Sequence, residues 1–265
     1  MNVLFLGYGN MGSAIGEAWL KGQLVDRISA VDPQLDFAAS AQLYASLDEL
    51  PQQAFDLIIV ATKPGHACEV LAALPDVLCR DALVISVAAG ITTASLSEAV
   101  RQRCPVVRVM PNTPLLLGAG CTGMFTDAAL GEERREQIVH LFEAVGKAYW
   151  VEQEGLLDVV TAVSGSGPAY YHLFSEALAA AGVALGLPAG LAKALAVQTA
   201  FGAATQQLQP GADFVELRSA VTSPNGTTAA AVACFEQDQA LRQLVEAATR
   251  AAFIRSQELS RGAGL

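Results

Sequence analysis

The sequence predicts an α/β protein in two parts, a mostly parallel, doubly wound sheet over residues 1–152 and an all-α part over residues 153–265. Three observations predict it. Short apolar runs alternate with helical stretches through the first part, a glycine-rich turn joins the first run to the first helix, and no strand pattern occurs after residue 152.

The first run is Val3-Leu4-Phe5-Leu6, which ends in Gly7-Tyr8-Gly9-Asn10-Met11-Gly12; residues 13–20 then read as a helix closed by Gly22. Strand, glycine turn and helix in this order have the spacing of a dinucleotide fingerprint. Gly7 permits the tight turn, Gly9 lets a pyrophosphate approach the backbone beside Asn10 and Met11, and Gly12 lets helix and strand pack closely. Residues 28–31 form a second strand that ends at Asp32, an acid placed to accept hydrogen bonds from the adenosine ribose hydroxyls. The first part is therefore expected to be a Rossmann domain that binds NAD(P)H.

Leu57-Ile58-Ile59-Val60-Ala61, Leu83-Val84-Ile85-Ser86-Val87 and Val106-Val107-Arg108-Val109 continue the alternation as apolar strands of the kind covered on both faces. Ligands of open α/β sheets bind at the carboxyl ends of such strands, so the residues that follow each are the candidates. After the first come Thr62, Lys63 and Pro64, where Lys63 either reaches phosphate or substrate or is a surface lysine. After the second come Ala88, Ala89 and Gly90, the glycine allowing close backbone approach. After the third, Pro111 and Pro114 fix a loop around Asn112, whose amide either bonds nicotinamide or substrate or sits in a rigid turn without ligand contact. A strand over 121–125, a helix over 132–145 and a strand over 148–151 complete the part, with the boundary near Glu152.

Beyond it the chain is Ala-rich and helical. Pro168 opens a helix running to about Gly186, Pro188 opens one through Gln207, and residues 212–221 form a third. Small residues leave these helices apolar over much of their circumference, so they are expected to pack against a second subunit. The last helix, from Asp238 to about Glu258, reads as an ordinary amphipathic surface helix. Between these lies Val221-Thr222-Ser223-Pro224-Asn225-Gly226-Thr227-Thr228. Pro224 cannot extend a helix and Asn225-Gly226 tolerates positive φ, so the backbone turns and a new helix starts at the threonines. Neither threonine has Glu or Gln three residues on, so no capping box occupies this helix end. Its N–H groups and the hydroxyls of Ser223, Thr227 and Thr228 suit a carboxylate or phosphate, although the same residues also suit a plain capped turn.

Net charge is −10, which argues against nucleic acid and anionic membrane as partners. Five cysteines without a CxxC pair and three scattered histidines imply reduced cytoplasmic thiols and no metal. The N-terminus lacks the basic and long apolar regions of a signal peptide, and the uncharged stretch 177–192 is broken by Gly182, Gly186 and Pro188, so a membrane span is not expected.

The Val221–Thr228 motif resembles the signature of pyrroline-5-carboxylate reductases, enzymes of the last step of proline synthesis. The glycine fingerprint, Val109-Met110-Pro111-Asn112-Thr113-Pro114 and Ser164-Gly165-Ser166-Gly167-Pro168-Ala169-Tyr170 extend the likeness over essentially the whole chain, in order. The resemblance implies a Rossmann domain, a helical domain intertwined with that of a dimer mate, and hydride transfer from NAD(P)H to the cyclic imine pyrroline-5-carboxylate, giving L-proline. It implies that Thr228 bonds the imine nitrogen and that Ser223, with the backbone around Gly226 and Thr227, holds the carboxylate, Val221 and Asn225 completing that group. It places Asn112 near nicotinamide and substrate as a second catalytic residue and Lys63-Pro64 on the cofactor side. Homodimers and rings of five dimers are its implied assemblies.

Two departures stand out. Asn225 replaces a glycine common in the family, a mild change because Asn tolerates left-handed geometry. Asp32 would face the 2′-phosphate of NADPH with no Lys or Arg between Arg27 and Lys63 to offset it, so NADH is expected to be favoured. Two other readings compete: another imine or β-hydroxyacid reductase, although the first lysine after residue 152 is Lys193, late for a β-hydroxyacid enzyme's catalytic lysine; and a non-catalytic NAD(P) sensor.

Overall fold

The structure is a computed structural model that describes residues 1–35, 38 and 40–262. The chain forms two compact units: Met1–Ser166 together with the residues from Ala252 onward, and Gly167–Ala251.

The first unit contains β1 (Asn2–Leu6), α1 (Asn10–Lys21), β2 (Arg27–Val31), β3 (Gln42–Tyr44), β4 (Leu57–Val60), α2 (Pro64–Ala72), α3 (Asp76–Cys79), β5 (Leu83–Ser86), α4 (Thr93–Ala99), β6 (Val106–Met110), β7 (Gly120–Phe125), α5 (Glu132–Glu143), β8 (Gly146–Trp150) and α6 (Leu156–Val160). The strands form one sheet in the order β3-β2-β1-β4-β5-β6-β7-β8. β1 to β6 run parallel, β7 turns antiparallel against β6, and β8 follows β7. The strand order reverses between β1 and β4, the switch point at which open sheets bind ligands.

The apolar runs form strands because both sheet faces are covered. Val3, Phe5, Leu57 and Ile59 enter one core, whereas Leu4, Leu6, Ile58 and Val60 enter the other, following the two-residue alternation of a strand. On the first face Trp19 of α1 packs edge-on to Phe142 of α5, and its indole N–H donates to the Leu141 carbonyl at 2.6 Å. Each fully buried large side chain of this kind contributes roughly 1.5–3 kcal/mol.

The sheet unit extends past the last strand. α6 continues into a π turn over Thr161–Gly165, and β7 accepts this segment where Gly123 leaves no room for a side chain, with Val160 within 2.9 Å of where a Cβ would stand. The last helix also contributes here: α11 (Ala240–Gly262) buries Ser256, so its final turns are more than the ordinary amphipathic surface helix the sequence suggests.

The second unit is helical: α7 (Gly167–Ala184), α8 (Ala189–Gln207), α9 (Phe214–Ala220), α10 (Thr227–Glu236) and the first half of α11. α7 and α8 approach closely where Gly182 meets Ala192, as small residues allow. Large apolar side chains remain exposed, among them Leu173, Phe201 and Phe214. Among the described residues, no helix is long and apolar enough to cross a membrane.

Candidate active site

In the sheet unit, the cofactor candidates gather at the carboxyl ends of the parallel strands. Gly7 follows β1 with φ +87°, and a Cβ there would come within 2.8 Å of the Ala61 carbonyl oxygen at the end of β4. Only glycine lets the two strand ends approach so closely at that φ. Gly9 caps α1 without a side-chain hydrogen bond and has open space around it; Asn10 and Met11 form the first turn of the helix, and Gly12 lies against the Gly7 carbonyl. The first N–H groups of α1 thus point at a space a diphosphate can enter.

Asp32 stands at the end of β2 with both carboxylate oxygens engaged. Oδ2 accepts from the Tyr8 backbone N–H at 2.9 Å, and Oδ1 accepts from Gln34 N–H at 3.0 Å. After β4 the Thr62 hydroxyl is buried without a hydrogen-bond partner among the described residues, the exposed Lys63 caps α2, and Pro64 is the first residue of that helix. After β5, Ala88 is buried, Ala89 exposed and Gly90 at φ +79°. Open space at Gly9, uncapped N–H groups, an orphaned hydroxyl and an anchored acid at the switch point fit a dinucleotide.

Asn112 is more occupied than its sequence context suggests. Its Oδ1 accepts from Cys121 N–H at 2.8 Å and its Nδ2 donates to the Ser164 carbonyl at 3.0 Å, so the side chain ties the loop after β6 to β7 and to the π turn. One N–H of the amide is left to offer a ligand.

The Val221–Thr228 motif lies in the helical unit. α9 spends its N-terminus locally, because Asp213 accepts from Val215 and Glu216 N–H at 2.8 and 2.9 Å. α10 does not. After the exposed Val221, the chain turns through Ser223–Gly226, closed by Gly226 N–H donating to the Ser223 carbonyl at 3.0 Å, with Asn225 at φ 58° in the left-handed region. Gly226 is the N-cap and supplies no side chain; a Cβ there would meet the Ser223 hydroxyl at 2.3 Å. Among the described residues, the hydroxyls of Ser223, Thr227 and Thr228 make no hydrogen bond. Three hydroxyls and the free N–H groups of a ten-residue helix are therefore unspent beside one another.

Two polar clusters escaped the sequence reading. Arg108, 4% exposed, donates to Glu154 Oε1 at 3.1 Å, and Thr93 donates to the same carboxylate through its N–H and its hydroxyl. Asp158 is buried against Ser256 and Ser260. An arginine inside an otherwise apolar strand was the available signal for the first, since such a charge needs a partner; the second has no local signature.

A pyrroline-5-carboxylate reductase of Pseudomonas aeruginosa is 41% identical over 268 residues, covering 99% of this chain and 98% of that protein. The chain belongs to the pyrroline-5-carboxylate reductase family. The Escherichia coli enzyme is 35% identical over 93% of this chain and 94% of its own. Among solved structures, a pyrroline-5-carboxylate reductase from Coxiella burnetii superposes with a TM-score of 0.87 at 33% identity, and a Plasmodium falciparum pyrroline carboxylate reductase with NADP bound superposes with 0.84 at 28%, each covering 98% of both chains. The family model for pyrroline-5-carboxylate reductase dimerisation matches residues 154–259, and one described as NADP oxidoreductase, coenzyme F420-dependent, matches residues 2–90.

Pyrroline-5-carboxylate reductases are NAD(P)H-dependent oxidoreductases acting on a CH–NH group in proline biosynthesis, and that is the activity of this chain. Membership sets aside the β-hydroxyacid and sensor readings. The dimerisation match, together with the exposed apolar side chains of α7 and α8, supports a homodimer.

Proposed function

We propose that the enzyme binds its nicotinamide cofactor along the carboxyl ends of β1, β2, β4, β5 and β6 and anchors the carboxylate of pyrroline-5-carboxylate at the N-terminus of α10. The N-terminus of α10 supports this reading: Gly226 caps it without a side chain, a Cβ there would meet the Ser223 hydroxyl, and the hydroxyls of Ser223, Thr227 and Thr228 make no hydrogen bond among the described residues. Ser223 and the N–H groups at Gly226 and Thr227 hold the carboxylate, with Val221 and Asn225 shaping the turn. Thr228 orients the imine nitrogen and helps protonate it. Asn112 holds the loop after β6 and offers its remaining N–H; Thr62, Lys63 and Pro64 take the phosphate side and loop 88–90 the nicotinamide side. The bound cofactor supplies the hydride. The motif itself carries no His, Asp, Glu or Cys to serve as a strong general acid, so its residues act by positioning and hydrogen bonding.

NADH is the favoured cofactor. A 2′-phosphate would meet Asp32, whose two oxygens are held in place by Tyr8 and Gln34 N–H groups. The functional division falls at residue 152, a reading supported by the end of β8 at Trp150 and the start of the dimerisation match at residue 154, although the compact sheet unit runs on to Ser166. The setting is cytoplasmic, in keeping with five free cysteines, and the dimers assemble into a ring of five. Initial rates with pyrroline-5-carboxylate and either NADH or NADPH, repeated with Thr228→Ala, test the site and the cofactor choice; light scattering tests the ring. Undiminished turnover in Thr228→Ala would overturn the assigned role.

A further inference from the structure

Two carboxylates with no part in the proposed chemistry stand one helical turn apart just after β8, and both lead to the segment that follows β5. Glu154 accepts from Thr93 N–H at 2.8 Å and from the Thr93 hydroxyl at 3.2 Å, closing the N-terminus of α4 on one side of that segment. Asp158 works on the other side. It is 8% exposed, and its Oδ1 accepts from the Ser256 hydroxyl at 2.7 Å and from Ser260 at 3.4 Å. Those serines belong to the final turns of α11, and the same turns lie on Gly90: a Cβ there would be 3.4–3.5 Å from the Leu259 carbonyl and Ser260 N.

A buried carboxylate with hydroxyl donors and, among the described residues, no ion pair is costly to desolvate. Apolar residues at the same contact would dock a helix without that cost. What a carboxylate adds is register, because its oxygen fixes which serine, and hence which turn of α11, lies over Gly90.

We propose that Asp158 is a positioning residue for the nicotinamide cofactor: through Ser256 and Ser260 it holds the last turns of α11 against Gly90 and keeps loop 88–90 in its binding shape. The proposal rests on the reading of that loop as the cofactor's nicotinamide side.

The test is direct titration of NADH and NADPH into the purified full-length enzyme, followed by nucleotide fluorescence, for Asp158→Ala, Asp158→Asn, Ser256→Ala and Ala89→Leu. Asp158→Ala and Ser256→Ala should each raise Kd for the nucleotide about tenfold, the scale of one lost hydrogen bond to a charged group, while KM for the imine stays near that of the parent. Asp158→Asn keeps an acceptor oxygen and should recover most of the affinity. Combining Asp158→Ala with Ser256→Ala should do little more than Asp158→Ala alone, since the contact that Ser256→Ala removes is already lost. Should Asp158→Ala fail to fold, Ser256→Ala carries the test. A lowered melting temperature with unchanged Kd in both variants, beside a raised Kd in Ala89→Leu, overturns the role of Asp158 and leaves the loop reading standing. Unchanged Kd in all of them, Ala89→Leu included, overturns both.

Discussion

The Tyr8 backbone N–H donates to Asp32 Oδ2 at 2.9 Å, so the glycine turn after β1 and the acid after β2 are tied to each other before any nucleotide arrives. The acid cannot swing aside without giving up that bond and the one from Gln34. Asp32→Ser removes the charge and keeps a small acceptor. The ratio of kcat/KM for NADPH to that for NADH should rise at least tenfold in this variant, about 1.4 kcal/mol in transition-state terms. A ratio unchanged from the parent would show that Asp32 does not select the cofactor.

Tyr8 also gives the fold a dependence on alkaline pH. Burial, then the charge of Glu17 and the hydrogen bond to it, push the phenol well above its usual 10.0. Above about pH 10 the unfolded chain releases this proton while the folded chain keeps it, so this contribution to stability is present below pH 10 and lost as pH rises further. Tyr8→Phe removes the titration. Urea denaturation of parent and variant should show the parent's advantage shrinking from pH 9 to pH 11; a constant difference would contradict the assignment.

How much of this was legible in the sequence depends on how locally each feature is specified. β1, β4, β5 and β6 were legible because strands buried on both faces must be apolar throughout, and Asn225 was legible because a turn after Pro224 needs a residue that accepts positive φ. β3 was not: its three residues have no apolar run and become a strand only by pairing with β2. The π turn gave no periodic signal either. At the site, the free N-terminus of α10 could be read from a missing capping box, whereas the engagement of Asn112 depends on Cys121 and Ser164, brought to it by the fold alone.

Thr228 is the residue whose removal should separate chemistry from binding. Its hydroxyl has no partner among the described residues and lies beside the helix end proposed to hold the carboxylate. Thr228→Ala should lower kcat about 10- to 100-fold, at or below the low end of what a positioned proton-transfer group contributes, with Kd for the nucleotide unchanged. Ser223→Ala should act chiefly on KM for the imine, because a carboxylate contact is made equally in ground and transition states.

The Arg108–Glu154 pair makes a stability prediction. Arg108 is 4% exposed, so Glu154→Ala would leave a guanidinium buried without its counter-charge. Because Glu154 itself is partly exposed, the loss should be about 2 kcal/mol, below the range for fully buried pairs. Replacing both residues, as Arg108→Met with Glu154→Leu, should recover most of that loss in urea denaturation. A double variant as unstable as Glu154→Ala would mean that the pair does more than cancel its own burial.

The helical unit makes the last prediction, on assembly. Phe201 and Leu195 on α8 are 66% and 49% exposed and Leu173 on α7 is exposed as well, apolar surface that a lone chain would leave in water. Fully covering a phenylalanine or leucine is worth roughly 1.5–3 kcal/mol, so burying several of them from each chain offsets the cost of association and favours a dimer at micromolar concentration. Leu195→Glu with Phe201→Glu would bring two carboxylates per chain into that surface. Light scattering at micromolar concentration should show the parent as a dimer or a multiple of it and the double variant shifted to the mass of one chain. A double variant that keeps the parent's mass would remove these two side chains from the interface.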